Sequence, residues 1–241
     1  MGVQQRYFQA VLGVRRHGTD DRELTPSVLS AAAVAVLPVV AAGISLSQES
    51  LRVPLGWSSP DAAVAERQQT TLGDGPCLSA VASGRIVIAD SGQIARQWPA
   101  YYAEIEKRTP FRSVASLPLR VSEQPVLAAL DLYAARPDLG SVLRLDEAEA
   151  VAEAAAELLF GILDDLYEGD ERSLPTWIDE RSMSERVAVW AAVGLMVSAG
   201  DLDDAEALAR LRGFAYSNDL SLDEAAARLV NRQLPVGAVL A

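Results

Sequence analysis

Apolar residues recur at helical spacing throughout residues 182–234 of this chain of 241 residues. Side chains three and four positions apart share one face of a helix, so the pattern predicts three amphipathic helices. Each predicted helix begins with a capping residue: Ser182, Asp201 or Ser221. A glutamate follows three positions after each serine, which is the arrangement of a capping box. Gly200 is the predicted C-cap of the first helix.

The first and third of these helices each have an apolar stripe that we expect to face inward. The stripes consist of Val187, Trp190, Ala191, Gly194 and Leu195 in the first helix, and of Leu222, Ala225, Ala226, Leu229 and Val230 in the third. Three helices this short bury such stripes only against one another or against a partner chain. The segment is therefore predicted to form a small helical bundle.

The preceding part of the chain alternates between helical and strand-like patterns. The predicted helices are 26–37, 61–69, a short one that follows the turn 73–77 and ends at Gly84, and 98–108; the predicted strands are 43–46, 51–57, 85–89, 113–120 and 126–133. Thr25 is the predicted N-cap of the first helix, because the proline after it favours the first helical position. The connection 121–125 has hairpin length, which predicts antiparallel pairing of the last two strands. Together these elements predict an α+β domain around a central antiparallel sheet.

The residues from Thr25 to Gln48 carry no charge, and Arg15 and Arg16 precede them. A twin-arginine export signal or a membrane span would have a similar pattern. However, acidic residues separate the arginines from this run, Pro38 and Gly43 interrupt it, and its alanines and serines reduce its hydrophobicity. A buried helix followed by a strand therefore explains the run better.

Composition and charge exclude several functions. The chain is 50% apolar and 22% charged with a net charge of -12, which suits a globular protein and argues against non-specific binding to phosphate backbones. A single cysteine, Cys77, fits a reducing compartment, and a single histidine, His17, excludes most metal sites and any His-based triad. The sequence also has no phosphate-cradling glycine loop and no His-Glu-x-x-His motif. We therefore predict a cytoplasmic protein that is not an enzyme and does not attach to membranes.

Four short motifs occur in the order typical of one family: LGDGPC at 72–77, IVIAD at 86–90, SVASLPL at 113–119 and LDLY at 130–133. Over residues 24–166 the chain resembles a GAF domain, a small-molecule sensor module. The resemblance implies a ligand pocket on one face of the sheet, approached in this chain by Cys77, Trp98, Tyr101, Ser116 and Asp131. It implies a small-molecule effector. We expect no haem bound through a histidine, because the single histidine, His17, lies outside this domain. Cys77 is either an attachment or redox site or, as is more common, a small buried hydrophobe after a turn.

Three further segments carry a second resemblance: AAVGLM at 191–196, DAEALARLRGFA at 204–215 and LDEAA at 222–226. Residues 178–235 resemble an ANTAR domain, a three-helix RNA-binding output module of bacterial antitermination regulators. The pairing of GAF with ANTAR domains is a known bacterial arrangement. The resemblance implies binding to hairpins in a nascent transcript, which would prevent a terminator from forming.

Arginine and aromatic residues of the ANTAR-like segment are the candidates for RNA contact, because arginines bind phosphates and bases stack on flat side chains. They are Arg186, Trp190, Arg210, Arg212, Tyr216, Arg228 and Arg232. The alternative is structural. A glutamate precedes Arg210 and Arg228 by four positions, which predicts ordinary surface ion pairs, and Trp190 lies on the apolar face of its helix.

The helix predicted over residues 145–166 would join the two regions. Its apolar residues follow coiled-coil spacing at Ala148, Val151, Ala155, Leu158 and Ile162, which predicts a parallel homodimer or else a helix packed on its own sheet. The predicted organisation is a flexible tail or weak helix at 1–23, a GAF-like domain at 24–166, a linker at 167–177, an ANTAR-like bundle at 178–235 and a tail at 236–241.

The function predicted from these features is transcription antitermination, in which a sensor domain controls an RNA-binding bundle. The alternative is a protein–protein adaptor or a small-molecule sensor whose ANTAR-like bundle no longer binds RNA. The acidic balance favours this alternative. So do Ala191 and Val193, because a glutamine and a lysine are common at or near these positions in ANTAR domains.

Overall fold

The structure, a computed structural model, describes residues 1–17, 23–48, 51–121, 126–168 and 180–240. At residues 15–17, 48, 165–168 and 180–186 it describes the backbone without the side chains. The chain divides into two compact units, Met1–Gln69 with Asp74–Asp170 and Thr70–Gly73 with Glu171–Ala241. In chain order the elements are α1 (Val3–His17), α2 (Pro26–Val36), β1 (Ala41–Gln48), β2 (Leu51–Trp57), α3 (Pro60–Leu72), α4 (Pro76–Ser83), β3 (Val87–Asp90), α5 (Ser91–Gln97), α6 (Pro99–Arg108), β4 (Ser113–Leu119), β5 (Ala128–Ala134), α7 (Leu139–Val142), α8 (Leu145–Glu168), α9 (Glu180–Ala199), α10 (Asp204–Ser217), α11 (Leu222–Val230) and α12 (Val236–Leu240).

The first unit is built on a five-stranded sheet with the order β2-β1-β5-β4-β3. All neighbouring strands are antiparallel, which confirms the predicted α+β domain with a central antiparallel sheet. The register aligns Gly43 of β1 and Ser116 of β4 with Asp131 of β5. These three residues therefore lie in one row across the middle of the sheet, on the same face.

The main hydrophobic core lies between one face of the sheet and helices α1, α2 and α8. Alternate residues of β4 and β5, such as Leu117, Leu130 and Leu132, point into it and are fully buried, as expected for a half-covered sheet. The charge-free run of residues 25–48 supplies α2 and β1 of this core, which explains its apolar character. The predicted cap is also confirmed, because Thr25 Oγ1 accepts a hydrogen bond from the Val28 amide at 3.2 Å.

Of the two alternatives predicted for residues 1–23, a flexible tail or a weak helix, the structure has a helix at 3–17, and residues 18–22 lie outside the described residues. Residues 3–17 form α1, and Tyr7 and Val11, one turn apart, are buried in the core. The Tyr7 hydroxyl donates a hydrogen bond to the Leu29 carbonyl at 3.1 Å. This short apolar pair is enough to dock the helix because α2 and the sheet provide the surface for it.

Helix α8 packs on its own sheet, which is the alternative that the sequence left open. Ala148, Val151 and Ala155 are fully buried in the core of the first unit, and Leu158 and Ile162 pack against it. In this structure the predicted coiled-coil seam is therefore occupied by the chain itself. Homodimerisation stays a prediction. The helix extends to Glu168, and the part of the predicted linker at 169–177 lies outside the described residues.

Helices α9, α10 and α11 follow in the second unit, in the predicted order, but two of their predicted starts are wrong. α9 begins at Glu180, so Ser182 lies inside the helix rather than at its cap. α10 is capped by Asp203 and not by Asp201. The capping box of α11 is confirmed, since Ser221 and Glu224 satisfy each other's backbone amides at 3.1 and 2.8 Å.

The predicted inward face of α9 is wrong. Val189, Ala192, Val193 and Met196 are buried, whereas the predicted stripe is exposed, with 63% of Val187, 37% of Trp190 and 43% of Leu195 accessible to solvent. No charged residue occurs from 187 to 199, so an apolar pattern alone could not distinguish the two faces of the helix. The predicted inward stripe of α11 is confirmed by its buried residues Leu222, Ala225, Ala226 and Leu229.

Three short helices were not predicted. α5 begins with a capping box between Asp90 and Gln93, and α7 covers Leu139–Val142. Residues 236–240 of the predicted C-terminal tail form α12, whose Leu240 carbonyl accepts a hydrogen bond from Arg210 Nη1 at 2.7 Å. Among the described residues no helix is both long enough and apolar enough to cross a membrane.

Candidate functional site

The face of the sheet opposite the main core carries a cluster of buried polar side chains. We call it the polar cluster; its members are Ser45, Arg52, Glu66, Gln69, Cys77, Asp131 and Tyr133, each at most 1% exposed. Four separate segments supply them, namely the β1–β2 pair, α3, the start of α4, and β5. Burial of this much charge is costly unless the groups pair with one another.

Arg52 is the centre of the polar cluster. Its guanidinium forms ion pairs with both buried carboxylates, Glu66 and Asp131, the latter at 3.3 Å. It also donates hydrogen bonds to the Glu66 carbonyl at 2.7 Å and, from Nε, to Cys77 Sγ at 3.0 Å. A planar guanidinium has five N–H donors, so Arg52 alone can bind groups from three elements.

Gln69 joins α3 to the turn before α4. Its amide Nε2 donates to Asp131 Oδ2 at 2.7 Å, and its Oε1 accepts a hydrogen bond from the Cys77 amide at 2.9 Å. The turn places Gly75 against this side chain, with φ at 149°. A Cβ at Gly75 would lie 2.5 Å from Gln69 Oε1, so the turn requires glycine both for its backbone angle and for space.

Room for the Glu66 carboxylate is made by a glycine in the middle of β1. A Cβ at Gly43 would collide with that carboxylate. The Tyr133 hydroxyl donates to Glu66 Oε1 at 2.7 Å, and the Tyr133 ring stacks on Phe111 with centroids 4.7 Å apart. The Glu66 side chain is thus held between a guanidinium and a phenol, away from solvent.

The electrostatics of the polar cluster follow from burial and from its two carboxylates around one cation. Burial raises the pKa of Glu66 to about 7, although Arg52 opposes the rise. Burial alone would lower the pKa of Arg52, but the Glu66 and Asp131 carboxylates help to raise it well above its ordinary value. Burial also raises the pKa of the Cys77 thiol to about 12. Cys77 is therefore a neutral thiol and a poor nucleophile near neutral pH.

Three buried polar atoms in or beside the polar cluster have no hydrogen-bond partner among the described residues: Asp131 Oδ1, Ser116 Oγ and Tyr101 Oη. Because Ser116 and Asp131 are paired across β4 and β5, the first two atoms belong to neighbouring side chains on one face. A buried carboxylate oxygen without a donor costs free energy. The arrangement can therefore accept hydrogen bonds from a small molecule that bears N–H or O–H groups.

Four of the five residues predicted to approach a pocket lie in or next to the polar cluster. Cys77 and Asp131 are members, Ser116 pairs with Asp131, and Tyr101 of α6 lies beside Tyr133, where burial raises its pKa. Trp98, the fifth residue, is 5% exposed at the junction of α5 and α6.

Sequence reasoning missed five members of the polar cluster: Ser45, Arg52, Glu66, Gln69 and Tyr133. One signal was available, since Arg52 lies inside a predicted strand between the apolar residues Leu51 and Val53. A charged residue at such a position is either on the solvent face or paired inside.

A separate surface groove of about 670 Å³ lies on the first unit beside α8 and the edge strand β3. Its lining includes Ile86, Ile88, Leu117, Arg120, Leu145 and Glu149. None of the residues predicted to approach a pocket lines it, so it is distinct from the polar cluster. Among the described residues, no group of three or more His, Cys, Asp and Glu side chains is arranged to hold a metal ion.

The residues predicted to contact RNA differ in their surroundings. Arg210 is exposed but forms an ion pair with Glu206 at 2.9 Å, as the structural alternative predicted. Arg212 is half-buried, and burial lowers the pKa of its guanidinium. Tyr216 is 43% exposed. The side chain of Arg186 lies outside the described side chains.

Arg228 and Arg232 are exposed near the end of α11. The structure shows no ion pair between Glu224 and Arg228; the Glu224 carboxylate accepts a hydrogen bond from the Ser221 amide in the capping box. Of the carboxylates that the structure describes, none lies within ion-pair distance of Arg228 or Arg232. These two arginines are the basic groups of the second unit best placed to meet an external anion.

Comparison with known proteins gives a family match for the first unit. The sequence profile described as "GAF domain" matches residues 18–159. The GAF domain of an Acinetobacter phosphoenolpyruvate-protein phosphotransferase is 12% identical, with a TM-score of 0.49 over 69% of this chain and 96% of that one. The corresponding Coxiella burnetii domain is 10% identical, with a TM-score of 0.46 over 68% and 98%. The free methionine-R-sulfoxide reductase of Neisseria meningitidis is 15% identical, with a TM-score of 0.43 over 68% and 94%. No curated protein sequence gives a significant match.

Proposed function

Because the chain belongs to the GAF domain family, which supports a signal-sensing role, we propose that it is a signal-responsive regulator that binds RNA through its C-terminal helices. The first unit would bind a small effector at the polar cluster, and the second unit would bind hairpins in nascent transcripts and act in antitermination. The proposal includes a cytoplasmic location, since bacterial transcripts are made there, and no enzymatic activity.

The proposed effector site rests on Asp131 Oδ1 and Ser116 Oγ, the buried acceptors without a described partner. Together with the two carboxylates around Arg52, they favour a ligand that donates hydrogen bonds, such as an amine, over an anion. A ligand can shift the protein between two arrangements only if it binds one of them better than the other. An effector that neutralises Asp131 would have this property.

The proposed output rests on a single observation: the exposed side chains of Arg228 and Arg232 have no described carboxylate partner. The resemblance of residues 178–235 to an ANTAR domain supports an RNA target for them. Arginine without a protein partner binds phosphate bidentately and adds a salt-dependent contribution to affinity. Arg210 and Arg212 contribute less to the proposal, because one is paired and the other half-buried.

The output is tested by electrophoretic mobility shift with tandem RNA hairpins. The double variant Arg228→Ala/Arg232→Ala should bind at least roughly tenfold more weakly than the wild type, the loss of two phosphate contacts. Arg96→Ala, which removes an exposed arginine from α5, is the matched control and should bind like the wild type. Equal losses in both variants would mean that net charge, not this pair of arginines, governs binding.

A second candidate function is that of a protein–protein adaptor. One observation favours it: acidic residues outnumber basic ones in the second unit, so this unit carries a net negative charge that opposes RNA. An adaptor would bind no hairpin RNA even at low salt. Circular dichroism on the same sample would establish that the unit was folded.

A further inference from the structure

The exposed side of α9 carries an apolar surface that the proposed function does not use. We call it the α9 stripe; its residues are Val187, Trp190, Ala191, Gly194, Leu195 and Ser198, all of them exposed. At about 100° per residue these positions fall within a sector of roughly 140° of the helix. Just over three turns of one helix face are therefore exposed and carry no charged side chain.

We propose that the α9 stripe is the contact between two copies of this chain, which pair with their α9 helices antiparallel. Charge is the first reason to expect a second copy of the chain at the α9 stripe. Each copy carries a net charge of -12, so two copies repel one another over most of their surface. Residues 187–199 contain no charged side chain. This face is therefore a place where two acidic copies can approach without burying like charges.

The stripe is also complementary to itself. Its six positions are spaced symmetrically about the midpoint between residues 192 and 193. The stripe therefore has the same spacing when the helix is followed in either direction. In an antiparallel pair Ala191 faces Gly194 of the second copy, and Val187 faces Ser198. A Cβ at Gly194 would meet no atom within 4 Å, so this central part of the helix is open to close approach by another backbone.

The polar group in the stripe does not oppose this contact. Ser198 Oγ donates a hydrogen bond to the Gly194 carbonyl at 2.7 Å within the helix, so burial would not leave the hydroxyl unsatisfied. Trp190 and Leu195, which are 37% and 43% exposed, flank the small central residues. Aromatic and large aliphatic side chains in such positions commonly dominate interface energetics.

The proposal is tested by sedimentation velocity of the full chain at increasing concentration. We expect a reversible monomer–dimer equilibrium, and Ala191→Glu should raise the dissociation constant at least roughly tenfold by burying two like charges at the contact. Ala209→Glu is the matched control, because Ala209 is an exposed alanine on α10; it should leave the constant unchanged. A chain that stays monomeric, or a dimer that Ala191→Glu does not weaken, would overturn the proposal.

The antiparallel arrangement has its own test. Leu195 lies at one edge of the α9 stripe and Trp190 at the other. An antiparallel pair brings like edges together, so Leu195 lies beside Leu195 of the second copy, about 7.5 Å away along the helix axis. A parallel pair would bring unlike edges together and would place Leu195 beside Trp190. Leu195→Glu and Leu195→Lys should each weaken the dimer alone. An equimolar mixture of the two should restore it, because each glutamate then meets a lysine. Failure of the mixture to associate more tightly than either variant would rule out the antiparallel contact, and with it the proposal.

Discussion

Replacement of Glu66 by glutamine should change how the stability of the first unit depends on pH. Burial raises the pKa of Glu66 from about 4.5 to about 7, so the folded protein holds a proton that the unfolded chain releases between these values. The stability due to this proton is fully present below about pH 4.5 and is lost as the pH rises through about 7. At about 1.4 kcal/mol per pH unit, the rise is equivalent to roughly 3 kcal/mol.

Glutamine is close in shape to a protonated glutamate and does not ionise. The wild type and Glu66→Gln should therefore differ in a pH-dependent way. The unfolding free energy of the wild type, relative to that of the variant, should fall by roughly 2–3 kcal/mol between about pH 5 and about pH 8. The measurement is urea denaturation of both proteins across this range. Glu153→Gln, which replaces an exposed carboxylate on α8, is the control and should show no such change.

Two outcomes would refute this reasoning. If the difference between wild type and Glu66→Gln did not change with pH, Glu66 would not bind a proton near neutrality. If the difference instead grew in favour of the wild type as the pH rose, the ion pair with Arg52 would outweigh the cost of burial. In that case the polar cluster would be stabilised by the ionised form of Glu66.

Three further predictions follow from the packing. Gly43→Ala should destabilise the first unit by roughly 1–3 kcal/mol, because the added methyl group clashes with Glu66. Gly161→Ala, in open space on α8, should instead stabilise it by up to about 1 kcal/mol. Thermal unfolding compares the stability of the two variants with that of the wild type. Ser221→Ala should lose about 1 kcal/mol of the second unit's stability in urea denaturation, whereas Ser182→Ala should lose little, because that residue lies inside α9. Cys77 should react with a thiol reagent only after denaturation, since the thiol is buried and its pKa is raised to about 12; a rate of labelling in the native protein equal to that in urea would contradict this.

Features that depend on neighbours in sequence were mostly predicted, although the expected caps at Ser182 and Asp201 were wrong. The cap at Thr25 and the capping box at Ser221 were identified because the residues that form them lie within three positions of each other. The strands were found for the same reason, since their alternating and β-branched patterns are local. The antiparallel pairing of β4 with β5 was predicted from the short connection 121–125.

The polar cluster could be predicted only in part, because its contacts join distant parts of the chain. Arg52 meets Glu66 and Asp131, and the latter lies 79 positions away. The motifs of the GAF resemblance indicated Cys77 and Asp131 but gave no reason to select Arg52 or Glu66. A buried ion pair becomes evident only when the segments that carry it are placed together.

The prediction of which face of α9 is buried was wrong for a different physical reason. Hydrophobic periodicity assigns the inward face by contrast with a polar face, and α9 has no charged residue between 187 and 199 to mark one. Val189 and Met196 are buried while Trp190 and Leu195 are exposed, although all four residues are apolar.

RNA binding across a salt series tests the central claim most directly. The purified full chain is titrated with tandem hairpin RNA at several salt concentrations, and the slope of log affinity against log salt is compared between the wild type and Arg228→Ala/Arg232→Ala. The account predicts binding by the wild type that weakens with salt, and a slope that is shallower by roughly 1–2 in the variant. The same slope in both proteins, or no binding at the lowest salt by a sample confirmed to be folded, would contradict it.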